Sequence, residues 1–155
     1  MYPILITAWK RPYHLRDLIN AIRPLKPNKI FFSCDGPKKN NLEEYNLVEL
    51  TKKQLEFIDW ECNLKTLFSE HNQGCCNSMT RALNWFFDNV DAGIILEDDC
   101  IPHEDFLPFC NELLDKYKFD NRVWSISGTN FQDNQIRGDG SYYFSKYVQV
   151  WGWAT

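Results

Sequence analysis

Five short apolar runs, "PILITA" (3–8), "KIFFSC" (29–34), "KTLFS" (65–69), "AGIILE" (92–97) and "VWSIS" (123–127), alternate along the chain with stretches of helical period. No other feature limits the fold as strongly. The runs are five or six residues long, rich in β-branched and aromatic residues, and several are apolar almost throughout, as strands buried on both faces are. Between them, Leu15, Leu18, Ile19 and Ile22 repeat at i, i+3, i+4, i+7, with Pro12 near the first turn. Leu47, Val48, Leu55 and Ile58 mark a second helix, opened by "NNLEE" with its acidic first turn. Met79, Ala82, Leu83 and Phe86 mark a third, and Phe106, Phe109, Cys110, Leu113, Leu114 and Tyr117 a fourth. The order β-α-β-α-β-α-β-α-β predicts an α/β fold, a mostly parallel sheet with helices on both faces joined by right-handed crossovers. One domain over residues 1–155 is expected, since this length suffices for one core.

Composition narrows the function classes. Hydrophobic residues at 44% and charged residues at 25% are ordinary globular usage. Aromatics at 15% are in excess, which suits a core and also a site that handles sugar rings or bases. A formal net charge of -4 without a basic run argues against nucleic acid as a partner. No stretch is long and apolar enough to span a membrane. The start, "MYPILITAWKRP", has no basic region ahead of its apolar run, so a signal peptide is not expected. The six cysteines, Cys34, Cys62, Cys75, Cys76, Cys100 and Cys110, form no CxxC pair, and they read as reduced core thiols of a cytoplasmic protein. Neither they nor the three histidines have zinc-ligand spacing. The ending "QVWGWAT" reads as an interrupted sequence.

Open sheets of this kind bind ligands outside the carboxyl ends of their strands. "TAWKRP", "SCDGP", "SEHNQG", "LEDDC" and "SGTN" each follow a strand and are expected on one rim. Within "IILEDDC", Glu97, Asp98 and Asp99 are three successive acids behind an apolar run. Alternation puts Glu97 and Asp99 on one side and Asp98 on the other. Carboxylates this close raise one another's pKa, and a hard divalent ion removes that cost. Mn²⁺ or Mg²⁺ takes one or two carboxylates together with substrate phosphates. The plain alternative is a solvated turn whose acids cap the next helix, although Glu104 and Asp105 already supply negative charge there. No GxxxxGK loop and no GxGxxG after the first strand are present, which argues against P-loop and dinucleotide-binding chemistry. Residues 130–147 show no period and read as a long loop, functional or mobile.

"PILITAWKRP", "FFSCDGP", "IILEDDCIPHEDFLPFCNELL", "VWSISGTNF" and "WGWAT", in this order, resemble a GT-A type nucleotide-sugar-dependent glycosyltransferase. The pattern is that of the N-acetylglucosaminyltransferase I type and its bacterial relatives. The resemblance implies a Rossmann-like nucleotide-binding fold and transfer of a sugar from a UDP-sugar to a glycan or other hydroxyl acceptor. It also implies a Mn²⁺ or Mg²⁺ ion and inversion at the anomeric carbon. Asp99 would then touch the metal, while Glu97 and Asp98 would contact the ribose, the sugar or metal-bound water. Asp35 would accept from the nucleobase edge, its alternative being a turn residue in "CDGP". Arg11 would lie beside the nucleotide, its alternative being a solvated surface arginine. "HNQGCCNS" (71–78) would face the donor, with Gly74 allowing close approach and the helix start, including Ser78, meeting a phosphate. Trp151, Gly152 and Trp153 would wall the donor and acceptor. The catalytic base of the inverting relatives lies beyond the WGW-like segment, hence after Thr155; Asp139 is a position to watch. Two other readings stand beside this one: a sugar-nucleotide nucleotidyltransferase, for which "TAWKRP" lacks the needed glycine, and a non-catalytic nucleotide- or glycan-binding domain.

Overall fold

The computed structural model describes residues 1–132, 135 and 139–155. Strands β1 (Ile4–Ala8), β2 (Lys29–Cys34), β3 (Asn63–Phe68) and β4 (Ile94–Glu97) pair in parallel in the spatial order β3-β2-β1-β4. Helices α1 (Pro12–Ile22), α2 (Leu42–Lys53), α3 (Cys75–Phe87) and α4 (Phe106–Tyr117) fill the connections, and single 3-10 turns follow α1 and α2. The chain is therefore an α/β protein with a mostly parallel, Rossmann-like sheet.

Strand alternation sorts the core into two faces. Ile4, Ile6, Ile30, Phe32, Ile94 and Leu96 pack with Leu15, Leu18, Ile19, Val48, Cys110 and Leu113, so α1, α2 and α4 cover one face. Leu5, Phe31 and Ile95 pack with Ala82 and Phe86 of α3 on the other. Phe31 lies edge-on to both Trp85 and Phe86, at 5.0 Å between ring centroids in each case. Each fully buried Leu, Ile or Phe contributes roughly 1.5–3 kcal/mol, and the central strands are apolar for that reason.

The far edge of the sheet departs from the sequence reading. The fifth expected strand shrinks to β5 (Ile126–Ser127), and it does not pair with β4. A sixth strand, β6 (Trp153–Ala154), enters between them and runs antiparallel to both. Reciprocal bonds between Gly93 and Thr155, at 2.8 and 3.1 Å, extend this pairing. Two residues carry no readable period, so only the pairing itself defines β6 as a strand.

The long loop is fastened to α4 in its described part. Lys116 donates to the Tyr142 hydroxyl at 2.7 Å, the Tyr117 and Tyr142 hydroxyls meet at 2.6 Å, and Phe144 lies edge-on to both tyrosines. All six cysteines are free. Cys34 and Cys110 are buried, and burial pushes both thiols up to about 12. Cys62 and Cys100 are half-buried. Cys75 and Cys76 are not core thiols as expected, because they form the exposed first turn of α3. Among the described residues no helix is long and apolar enough to cross a membrane.

Candidate functional site

The parallel strands β1, β2 and β4 deliver their following residues to one rim. Backbone bonds tie these strand ends together: Asp35 N–H donates to Ala8 C=O at 3.0 Å, and Asp98 N–H to Thr7 C=O at 2.9 Å. Trp9, just past β1, lies between them. Its backbone N–H donates to Asp98 Oδ2 at 3.2 Å, and its indole N–H donates to the Gly36 carbonyl at 2.9 Å. The Lys10 and Lys38 ammonium groups stand 4.1 and 5.6 Å from its ring centroid.

Arg11 ends the β1 connection as the residue before α1, and its guanidinium turns to the acidic triplet. Nη1 donates to Asp98 Oδ1 at 3.3 Å and also bonds Asp99 Oδ2. Asp98 is buried, and its oxygens bond Trp9 and Arg11 within the chain. Burial holds the Asp98 carboxyl above its ordinary range, and the Trp9 N–H and Arg11 oppose that shift. Glu97 is half-buried at the end of β4 and is likewise raised, first by burial and then by Asp99 and Asp98. Asp98, ahead of Asp99, raises the Arg11 pKa. The Asp99 side chain is 44% exposed, which leaves it the most accessible acid of the triplet apart from its bond to Arg11.

Asp35 is also buried, and the structure engages it within the chain. Oδ1 accepts from Gly36 N–H at 2.9 Å and from Gln73 N–H at 3.0 Å. Oδ2 accepts from the Asn72 amide at 2.9 Å and from Gln73 N–H at 3.2 Å. A carboxylate offers about four acceptor sites, so little capacity remains for a nucleobase. Asp35 instead ties the end of β2 to the loop leading into α3. Gly36 permits this approach: a Cβ there would lie 2.6 Å from the His71 backbone.

Gly74 precedes α3 with φ of 78°, a left-handed conformation that favours glycine, and no atom lies within 4 Å of where its Cβ would be. The start of α3 is thus open to solvent, with Ser78 half-buried one turn in. At the far side Trp151 is exposed and edge-on to Phe131 at 5.5 Å, and its carbonyl accepts from the Thr129 hydroxyl. The antiparallel direction of β6 carries it toward the level of Glu97. Gly152 is buried against β5, accepting from Gly128 N–H at 3.1 Å. Trp153 is half-buried and packs on the Leu5, Phe31 and Ile95 face of the sheet. Asp139 is exposed on the loop.

No protein-family model matches the chain, and no curated protein matches it.

Glu44 is a site residue that the sequence reading passed over, taking it only as first-turn charge. The Asn41 side chain caps α2 by accepting from Glu44 N–H at 3.0 Å. The buried Glu44 carboxylate accepts from Lys10 at 2.6 Å and from Lys38 N–H at 3.1 Å, and the Lys10 bond holds it below its ordinary value. Trp9 and Lys10 were visible in "TAWKRP", directly after a strand, and that position was their signal. Asn72 and Gln73 had the same signal in "SEHNQG", but their partner Asp35 lies more than thirty residues away in sequence and was not readable.

Among the described residues, no group of three or more His, Cys, Asp or Glu side chains could hold a metal ion. An all-protein metal cage therefore does not fit. Asp99 does fit a site in which one carboxylate shares a hard cation with phosphate oxygens and water. A separate cleft of about 600 Å³ opens at the amino ends of the strands, lined among others by Lys29, Asp91, Trp124 and Thr155. Among the described residues its charged groups do not converge on a common point, whereas those of the rim do.

Proposed function

We propose that the chain is the nucleotide-sugar-binding part of a metal-dependent glycosyltransferase that moves a sugar from a UDP-sugar to a hydroxyl acceptor with inversion. One observation carries this reading. Three successive carboxylates stand at the carboxyl end of β4, in the middle of the sheet, and among the described residues one guanidinium, that of Arg11, bonds two of them. One positive charge against three negative ones leaves a site that favours a further cation, and the carboxyl rim is where such sheets take their ligands.

In this reading Asp99 supplies the carboxylate for Mn²⁺ or Mg²⁺. Such an ion would offset negative charge on the departing nucleotide as a Lewis acid. Asp98 keeps Trp9 and Arg11 in place, and Arg11 lies beside the nucleotide. The open start of α3 meets a phosphate through N–H groups of its first turn, with Gly74 allowing close approach and the Ser78 hydroxyl beside it. Trp151 offers an exposed ring face to a sugar. Six free thiols accord with a reducing, cytoplasmic setting. The nucleotidyltransferase alternative draws no support from the β1 connection, which presents Trp9, Lys10 and Arg11 in place of a glycine-rich loop.

Calorimetry with UDP tests the proposal. UDP is expected to bind residues 1–155 about tenfold or more tightly in Mn²⁺ than in EDTA, the equivalent of roughly 1.4 kcal/mol. Equal affinities would remove the metal-bridged nucleotide and favour the non-catalytic binding domain.

A further inference from the structure

We propose that residues 143–150, together with the lysines at the neighbouring end of α4, form a surface that docks on an anionic lipid bilayer. Its aromatic and aliphatic side chains enter the interfacial layer, and its lysines meet the acidic headgroups. The inference stands apart from the sugar-transfer reading and uses none of the rim residues.

Exposure and charge together carry it. Among the described residues seventeen large hydrophobic side chains are exposed, and nine of them lie within residues 119–151. Five of the nine, Tyr143, Phe144, Tyr147, Val148 and Val150, fall within eight consecutive residues, with Tyr147 83% and Phe144 69% exposed. Exposed apolar residues are ordinary when scattered singly, but a run of this density marks a surface that meets a partner. The run is neither helix nor strand, yet it is held at both ends. Before it, Tyr142 bonds Lys116 and Tyr117, and Phe144 lies edge-on to Tyr117 at 5.6 Å. After it, Trp153 and Ala154 enter the sheet as β6. The end of α4 therefore shares this surface, and Lys116, Lys118 and Lys146 are all exposed on it. The Lys118 ammonium stands 5.7 Å from the ring centroid of Phe119, which is itself 91% exposed. Residues 116–151 hold five Lys and Arg against three Asp, a net charge of +2, whereas the rest of the chain carries -6. This region thus opposes the sign of the molecule that bears it. Lysines interleaved with aromatic rings suit the boundary of an acidic bilayer, where each cation meets negative surface potential and each ring finds an apolar layer. A second copy of the chain would bring the same positive surface to an isologous contact and be repelled.

The test is cosedimentation of the chain with vesicles of phosphatidylcholine alone and of equimolar phosphatidylcholine and phosphatidylserine, at low and at high salt. The parent is expected to partition about tenfold or more strongly onto the phosphatidylserine vesicles, and salt is expected to weaken that preference. One variant combines Tyr147→Ser with Val148→Ser, whose side chains make no hydrogen bond or ring contact among the described residues. A second combines Lys118→Glu with Lys146→Glu. Each is expected to lose about tenfold or more in partitioning, with circular dichroism confirming that both are folded. Equal partition of the parent onto the two kinds of vesicle, or binding that both variants keep, overturns the proposal. A parent that stays off both vesicles overturns it as well. If that parent elutes as a dimer and the Tyr147→Ser, Val148→Ser variant as a monomer, the surface belongs to a second copy of the chain instead.

Discussion

Asp35 and Asp99 are both aspartates just past a strand, yet their surroundings give them opposite work. Asp35 accepts from Gly36, Asn72 and Gln73 in a buried position, so removing it leaves several donors without partners. Asp35→Ala is expected to lower unfolding free energy by roughly 2–4 kcal/mol, read as a shift of the urea midpoint. Weakened UDP binding at an unshifted midpoint would return Asp35 to the nucleobase. Asp99→Asn should behave differently, since the residue is half exposed and its charge is what a cation needs. Its melting temperature in EDTA should stay within a few degrees of the parent's, the size of a surface ion pair, while the rise induced by Mn²⁺ and UDP is lost. A variant that keeps that rise would show that Asp99 does not hold the metal. The sequence reading located both residues at the rim from strand ends alone. It could not separate their roles, because burial and the partners contributed by Asn72 and Gln73 are products of the fold.

At the level of elements, α2 is held to the rim by a charge as well as by its apolar side. Glu44 in its first turn reaches Lys10 past β1 and the backbone of Lys38. A carboxylate lowered by folding stabilises the fold above its unfolded value, and that contribution is lost as pH falls through the folded value. Glu44→Gln should therefore melt below the parent near pH 7, with the gap closing as pH drops below about 4, the ordinary glutamate value. A gap that persists undiminished in acid would mean that packing and not charge holds this corner. The helices were legible because their apolar spacing is long enough to repeat: the periods at 15–22 and 106–117 match α1 and α4. The first four strands were legible as apolar runs for the same reason. β6 was not, since two residues between a glycine and a threonine become a strand only when β4 and β5 offer their edges.

For the whole molecule, that late strand joins β5 to the parallel part of the sheet. It shields β4, the strand that presents the acids, from becoming an edge. Deleting residues 151–155 should lower the melting temperature and speed hydrogen exchange at the Gly93 amide, which bonds the Thr155 carbonyl. Unaltered exchange at Gly93 would show that β4 does not depend on this cover. The Asp35 clamp has a further mechanical consequence. Because β2, Gly36 and the approach to α3 are bound into one unit, a molecule entering the rim meets a rigid wall on that side. Substitutions in that wall should alter which ligands fit the rim.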